Sequence, residues 1–470
     1  MFDTVSVPFW LLVLLILAAS ITFLDRIFAP GVRWFFRRRL NTAIDELNAR
    51  LDTRIQPFKL THKQSLVDQL MYDSHVIAAA EEEAEREGTP ISVVMAKAER
   101  YAREIIPSFS PLAYFGVGTR ISKWLSELIY HVNLGYVDDE KLKSISPDAS
   151  VIFVMNHRSN MDYILVTYLA STRTTLSYAV GEWARIFGLQ SIIRAMGAYF
   201  IRRSSGNELY RRVLARYVAM ATREGVTQAV FPEGGLSRDG KIQPPKLGLL
   251  SYMLSDFNPA GDKDIVFVPV GINYDRTLED RILTARIEAE HTGRDFSFSF
   301  GASIAFVWSL LRLRFAGKLH RMGYACVSFG SPVSMKTWLK DHNIRFARQG
   351  ENKRFETIDF LGKDLIKEVG DVVPTVPVAL VATVFARKEF NQSMTELEIK
   401  AEVSELITEL AGKGNHVYIP RKDLDYAVSA GLRMLIMRHI LVSGTDGHIH
   451  ANSEESVLLE YYANSIGHLH

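Results

Sequence analysis

A histidine and a carboxylate five positions apart, His157 and Asp162 in SVIFVMNHRSNMDYILV, are the residues of this chain best spaced to move a proton. An apolar run ends at Met155, a polar loop follows, and a second apolar stretch with helical spacing begins after it. His157 therefore falls just past the C-terminal end of a predicted strand, where open α/β sheets place their sites. Ser159 or Asn160 can cap the next helix, which leaves Asp162 in its first turn. From there the carboxylate can reach one imidazole nitrogen, fix the tautomer and leave the other nitrogen as a base. The same residues also fit a capping Asp and a surface-loop His, so spacing alone leaves the chemistry open.

Three further blocks carry polar groups in patterned surroundings. In QAVFPEGGLSRDGKIQPPKLG a strand ends at Phe231–Pro232, and Glu233, Gly234 and Gly235 make a tight turn. Paired glycines let backbone N–H groups approach an anion. Arg238, Lys241 and Lys246 add three cations suited to a phosphate. The run Gly235-x4-Gly240-Lys241 mimics a nucleotide-binding loop, but Ile242 stands where Ser or Thr should hold Mg²⁺, and Pro244–Pro245 break the helix that should follow. In GAYFIRRSSGNELYRR, Arg202 and Arg203 can present guanidiniums to a phosphate monoester or simply be solvated. In IVFVPVGINYD, Pro269 sits inside an apolar strand, which suggests an edge, a bulge or a site-lining position.

Other chemistries lack their residues. There is no G-x-S-x-G elbow for a serine acyl-enzyme and no Cys/His cluster with zinc spacing. Cys326, the single cysteine, lies in the apolar run YACVSFGSP and reads as an inert core thiol. His448, His450, His468 and His470 are scattered in a polar tail. No metal or cofactor is expected.

These residues need a scaffold. From about Val137, the short apolar runs SVIFVMN, TTLSYAVG, QAVFPE, IVFVPVGINY and ACVSFG alternate with helical stretches, which predicts an α/β layer fold with a mostly parallel sheet flanked by helices. Helical patterns precede and follow it, and 470 residues are too many for one ordinary core. Apolar residues make up 47% and charged residues 23%, a globular balance, and the formal net charge of +2 predicts no nucleic-acid partner. Residues 5–24 carry no charge and are long enough to cross a bilayer as a helix. Arg26, Arg33, Arg37, Arg38 and Arg39 follow that run, so the positive-inside rule places the bulk of the chain in the cytoplasm behind a single span. A cleaved signal peptide is the competing reading, but a basic n-region is missing.

Taken in order, NHRSNMD, GAYFIRR, FPEGGLSR and VPVGINY resemble the four motifs of the glycerolipid acyltransferase superfamily. The chain is most similar to its bacterial membrane glycerol-3-phosphate acyltransferases and their dihydroxyacetone-phosphate relatives, and AKAERYAREI and VVPTVPVALVATVF extend the likeness. The resemblance implies a glycerolipid acyltransferase-like fold, and the sequence pattern divides the chain into an anchor (1–30), a helical N-terminal region (31–135), an α/β acyltransferase domain (136–335) and a helical C-terminal domain (336–470). It implies His157 as general base and Asp162 as its orienting partner. Arg202, Arg203, Arg238 and Lys241 would hold the acceptor's phosphate, and Glu233, Gly234, Gly235 and Ser237 would shape its pocket. Pro269 would line the acyl side.

The implied reaction is acylation of the sn-1 hydroxyl of glycerol 3-phosphate, with acyl-CoA or acyl carrier protein as donor, next to membrane lipids of the inner membrane. Dihydroxyacetone phosphate or lysophosphatidate are the alternative acceptors, and a catalytically idle membrane scaffold is the alternative outside enzymology. Leu236 departs from the pattern, since many members carry an arginine there. The aromatic and basic stretch 296–321 either lies in the membrane interface or forms a buried element.

Overall fold

The computed structural model describes residues 8, 10, 51, 55–171, 173–181, 189–202, 206–285, 321–389 and 392–470. The expected membrane span, apart from Pro8 and Trp10, lies outside them, as do Arg203 and the stretch 296–321 apart from Arg321. Among the described residues no helix is long and apolar enough to cross a membrane.

One sheet organises the centre of the chain. Its strands are β1 (His131–Val137), β2 (Ser150–Met155), β3 (Ser177–Val180), β4 (Tyr199–Phe200), β5 (Gln228–Val230), β6 (Ile265–Tyr274), β7 (Tyr324–Phe329) and β8 (Val333–Ser334). They lie in the order β1-β7-β6-β2-β5-β3-β4, with β8 beside β6. The pairs β2–β5, β2–β6, β3–β5, β3–β4 and β1–β7 are parallel, while β6–β7 and β6–β8 are antiparallel. The sheet is mixed and mostly parallel. Strands β2, β6 and β7 are buried at every position, which is why they read as continuous apolar runs and not as alternating ones.

Side-chain alternation along β2 divides the interior into two layers. Ile152 and Val154 point into a core shared with the helices Ile91–Ile105, Glu208–Arg223 and Glu351–Asp371. Val151, Phe153 and Met155 point into the opposite layer, which holds Leu165 and Val166 of the helix Met161–Ala170. The loop that carries His157 thus leaves β2 between two filled layers.

Two differences from the sequence-based expectation have clear causes. The helical region expected over 31–135 ends at Ile129, and HVNLGYV forms the half-exposed edge strand β1, whose mixed polar pattern gives little strand signal. Pro269 is not on an edge strand. It pairs with Val154 of β2 on one side, and on the other it falls where β6 changes partner from β8 (at Val266 and Phe267) to β7 (from Val270 on). The missing N–H falls at that break in the ladder, and the Pro269 carbonyl accepts from the Gly330 N–H at 2.8 Å.

The C-terminal part is not one separate body. The helix Glu351–Asp371 packs on the sheet, whereas Pro377–Ala386, Glu396–Gly412, Leu424–Met437 and Ser456–Asn464 enclose a second core that also takes in Cys326 and Leu283. A buried ion pair joins this bundle to the segment after β6. Arg438 meets Asp280 at 2.5 Å, and it also donates to the Tyr462 hydroxyl at 2.7 Å. Arg438→Ala should leave Asp280 as an unpaired buried charge and destabilise the fold by about 3–5 kcal/mol. An unchanged melting transition would show that water reaches the pair.

Candidate active site

The loop between β2 and the helix Met161–Ala170 is fixed by its own backbone donors. The Asp162 carboxylate sits one residue inside the helix, fully buried. Its Oδ2 accepts from the N–H groups of Arg158 (2.7 Å) and Ser159 (3.0 Å) and meets His157 Nδ1 at 2.9 Å. Its Oδ1 accepts from the Tyr274 hydroxyl at 2.6 Å. Next along the loop, the Asn160 N–H donates to Glu279 Oε1 (3.2 Å) and the Met161 N–H to Ser159 Oγ (3.1 Å). Ser159 Oγ in turn donates to Glu279 Oε2 at 2.7 Å.

His157 is held from three sides. Its N–H donates to Glu233 Oε1 at 2.7 Å, and its carbonyl accepts from the Ser237 N–H at 2.9 Å. The ring stacks on Phe231, with centroids 4.0 Å apart, and meets Tyr163 edge-on at 5.5 Å. With Nδ1 turned to a carboxylate, the favoured tautomer carries its proton there and leaves Nε2 as the base. His157 is 1% exposed, and Nε2 has no hydrogen-bond partner among the described residues. A buried polar atom without a partner is costly unless another group is meant to meet it.

Tyr163 lines two cavities. The first, about 320 Å³, runs along Phe231, Pro232 and Gly234 and carries Arg202, Arg211 and Lys246. The second, about 260 Å³, is apolar and includes Leu125, Ile164, Ile193 and Met196. One space suits an anion and the other a hydrocarbon chain.

The expected site residues separate into groups. His157 and Asp162 touch, and Glu233, Gly234 and Arg202 lie around the first cavity or brace its wall. Glu233 grips the backbone at His157 and Gln243 and is 4% exposed. Burial pushes its carboxyl up to about 7 against the pull of those two N–H donors. Ser237 is interior and donates to the Lys241 carbonyl at 2.7 Å, so it shapes the turn. Arg238 and Lys241 are exposed on that loop and do not line either cavity, and Gly235 stands in open space. Leu236 packs on the core of the C-terminal helices. Pro269 lies beside Gly330 and outside both cavities.

Sequence reasoning missed Tyr274, Glu279, Arg211 and Glu104. Tyr274 ends the fourth block, and its place beside Asp162 follows once β6 is paired with β2. The last three carried no local signal. Among the described residues no group of three or more His, Cys, Asp or Glu could hold a metal.

The end of the chain closes over this site. Arg158 donates to the carbonyls of Gly240 and, at 2.9 Å, Ser465, and Asn464 Nδ2 donates to the Asp239 carbonyl at 2.9 Å. Gly240 has a φ of +81°, and a Cβ there would come within 1.9 Å of the Tyr461 carbonyl oxygen. No other residue fits.

Two family models match successive parts of the chain. Residues 136–273 match the family model described as "Acyltransferase", and residues 307–470 match "Glycerol-3-phosphate acyltransferase C-terminal region". A glycerol-3-phosphate acyltransferase of Pseudomonas entomophila is 28% identical over 87% of this chain and 49% of its own length. One from Aeromonas hydrophila is 28% identical over 87% of this chain and 50% of its own. The chain is therefore similar to these proteins over two successive regions, and it spans about half the length of the curated relatives it matches. The crystal structure of the 1-acyl-sn-glycerophosphate (LPA) acyltransferase PlsC from Thermotoga maritima is 19% identical and overlaps 55% of this chain and 78% of that one, with a TM-score of only 0.31.

The raised Glu233 carboxyl makes a signed prediction. Between its ordinary value of 4.5 and about 7 the folded chain keeps a proton that the unfolded chain has released, so its contribution to stability falls as pH rises through that window. Glu233→Gln cannot titrate. The stability gap between wild type and variant should shrink across that range by up to about 3 kcal/mol, because a tenfold change in proton affinity is worth about 1.4 kcal/mol. A gap independent of pH would place the proton elsewhere.

Proposed function

We propose that this chain, similar over two successive regions to the glycerol-3-phosphate acyltransferases, transfers a fatty acyl group from an acyl thioester to the sn-1 hydroxyl of glycerol 3-phosphate, giving lysophosphatidate for phospholipid synthesis. One observation carries the reading. A buried imidazole, anchored through Nδ1 to a carboxylate, keeps an unpartnered Nε2 and packs on Phe231, which lines the cationic cavity, and on Tyr163, which lines both that cavity and the apolar one.

The residue types define the steps. The acceptor lies with its phosphate in the cationic cavity, and the acyl chain enters the apolar one. Nε2 of His157 takes the hydroxyl proton as the oxygen attacks the thioester carbonyl carbon. Asp162 stabilises the imidazolium that forms. The tetrahedral species collapses with cleavage of the C–S bond, and the imidazolium returns its proton to the departing thiolate of coenzyme A or acyl carrier protein. The enzyme ends as it began, without a covalent intermediate. Holding both substrates in line contributes the remaining rate enhancement.

The uncharged run at 5–24 and the arginines behind it support a single-pass anchor in the inner membrane, with the site on the cytoplasmic side next to its lipid product. The match of 307–470 to the glycerol-3-phosphate acyltransferase C-terminal region favours glycerol 3-phosphate over dihydroxyacetone phosphate or lysophosphatidate.

His157→Ala should lower turnover by about 10²- to 10⁴-fold while the melting transition stays in place. Asp162→Asn, which sets an amide against Nδ1 and favours the wrong tautomer, should fall comparably. Full turnover in either folded variant would remove the general-base role. Offered the three acceptors with one acyl thioester, the wild-type chain should acylate glycerol 3-phosphate with the highest kcat/KM; preference for lysophosphatidate would reassign the substrate.

A further inference from the structure

We infer that Lys246 and Arg211 form the seat of the acceptor's phosphate, in place of Arg202 of the second block and the cations at 238 and 241. The inference rests on the acyl-acceptor reading above and deepens it.

Arg202 lines the cationic cavity, but its charge is already matched. Its Nε and a terminal nitrogen donate to the two oxygens of Glu104 at 2.9 and 2.6 Å, and its guanidinium lies 5.3 and 5.1 Å from the rings of Tyr101 and Tyr210. That bidentate pair raises the pKa of Arg202 further and makes the side chain a brace between the helix Ile91–Ile105 and β4. A phosphate would have to compete with Glu104 for it. Arg238 and Lys241 do not line the cavity.

Lys246 is placed differently. Its N–H donates to the Pro232 carbonyl at 2.8 Å, which pins its backbone to the third-block turn. Its aliphatic stem crosses Gly234, whose φ is +71°, and a Cβ on Gly234 would lie 2.6 Å from Lys246 Cδ. The glycine of the third block thus makes room for a lysine twelve positions later. Arg211 faces the same cavity from the helix Glu208–Arg223. Among the described residues neither cation has an ion-pair partner, and no carboxylate lines the cavity. Two unmatched cations in a cleft beside Phe231, the ring on which His157 stacks, fit a phosphate dianion.

The test uses the full chain in detergent, with steady-state kinetics and calorimetric titration of glycerol 3-phosphate. Lys246→Ala and Arg211→Ala should each raise the acceptor KM about tenfold or more, with the acyl-donor KM unmoved, and weaken glycerol 3-phosphate binding to match. Lys246→Arg should recover most of the loss. Arg212→Ala, on the same helix but paired with Glu208, should behave as wild type. An acceptor KM within about twofold of wild type in the folded double variant overturns the seat. A wild-type chain that binds glycerol 3-phosphate without acylating it, and loses that binding in the double variant, overturns the proposed reaction but upholds the seat. A wild-type chain that neither binds nor acylates it overturns both.

Discussion

Everything near the candidate site is arranged around one buried carboxylate. Asp162 accepts two backbone N–H groups and a tyrosine hydroxyl, and it faces an imidazole nitrogen, from the first turn of a helix whose dipole favours negative charge there. Without that carboxylate the loop N–H groups would be buried and unpaired, and the imidazole would be free to turn. The strand before the loop and the helix after it matter because they bring both ends of this network to one point.

Three acidic side chains from distant parts of the chain complete the hold. Glu233 takes the N–H of His157, Asp162 those of Arg158 and Ser159, and Glu279 that of Asn160. Each successive donor of the loop has a named acceptor, so its conformation is over-determined by tertiary contacts. The cost is the burial of several carboxylates close together, which raises the pKa of both Glu233 and Glu279. Such an arrangement trades stability for a histidine that does not move.

How much of this was legible depended on how local each signal was. The fully buried strands β2, β6 and β7 stood out as apolar runs, and the His157–Asp162 pair could be placed because a strand end, a cap and a helix start are all sequence-local features. The edge strand β1 was hidden by its half-exposed, mixed composition. Arg202 read as a phosphate ligand because its partner Glu104 lies 98 positions away. Arg211 is unremarkable in a charged helix, and only the cavity gives it a role. Ser237 and Glu233 were read as lining residues, yet both spend their polar atoms inside the protein. In each case the residue type was right for an anion or a proton, and the fold decided which neighbour received it.

The C-terminal segment has a comparable dependence, since Ser465 and Asn464 reach back to Arg158 and Asp239 and seat the site against a second core. The central claim is that the unpartnered nitrogen of His157 meets a substrate hydroxyl. A crystal structure of the chain soaked with glycerol 3-phosphate tests it most directly. General-base chemistry requires the sn-1 oxygen within about 3 Å of His157 Nε2. A ligand bound with that oxygen turned away, and another protein group on it, would contradict the claim.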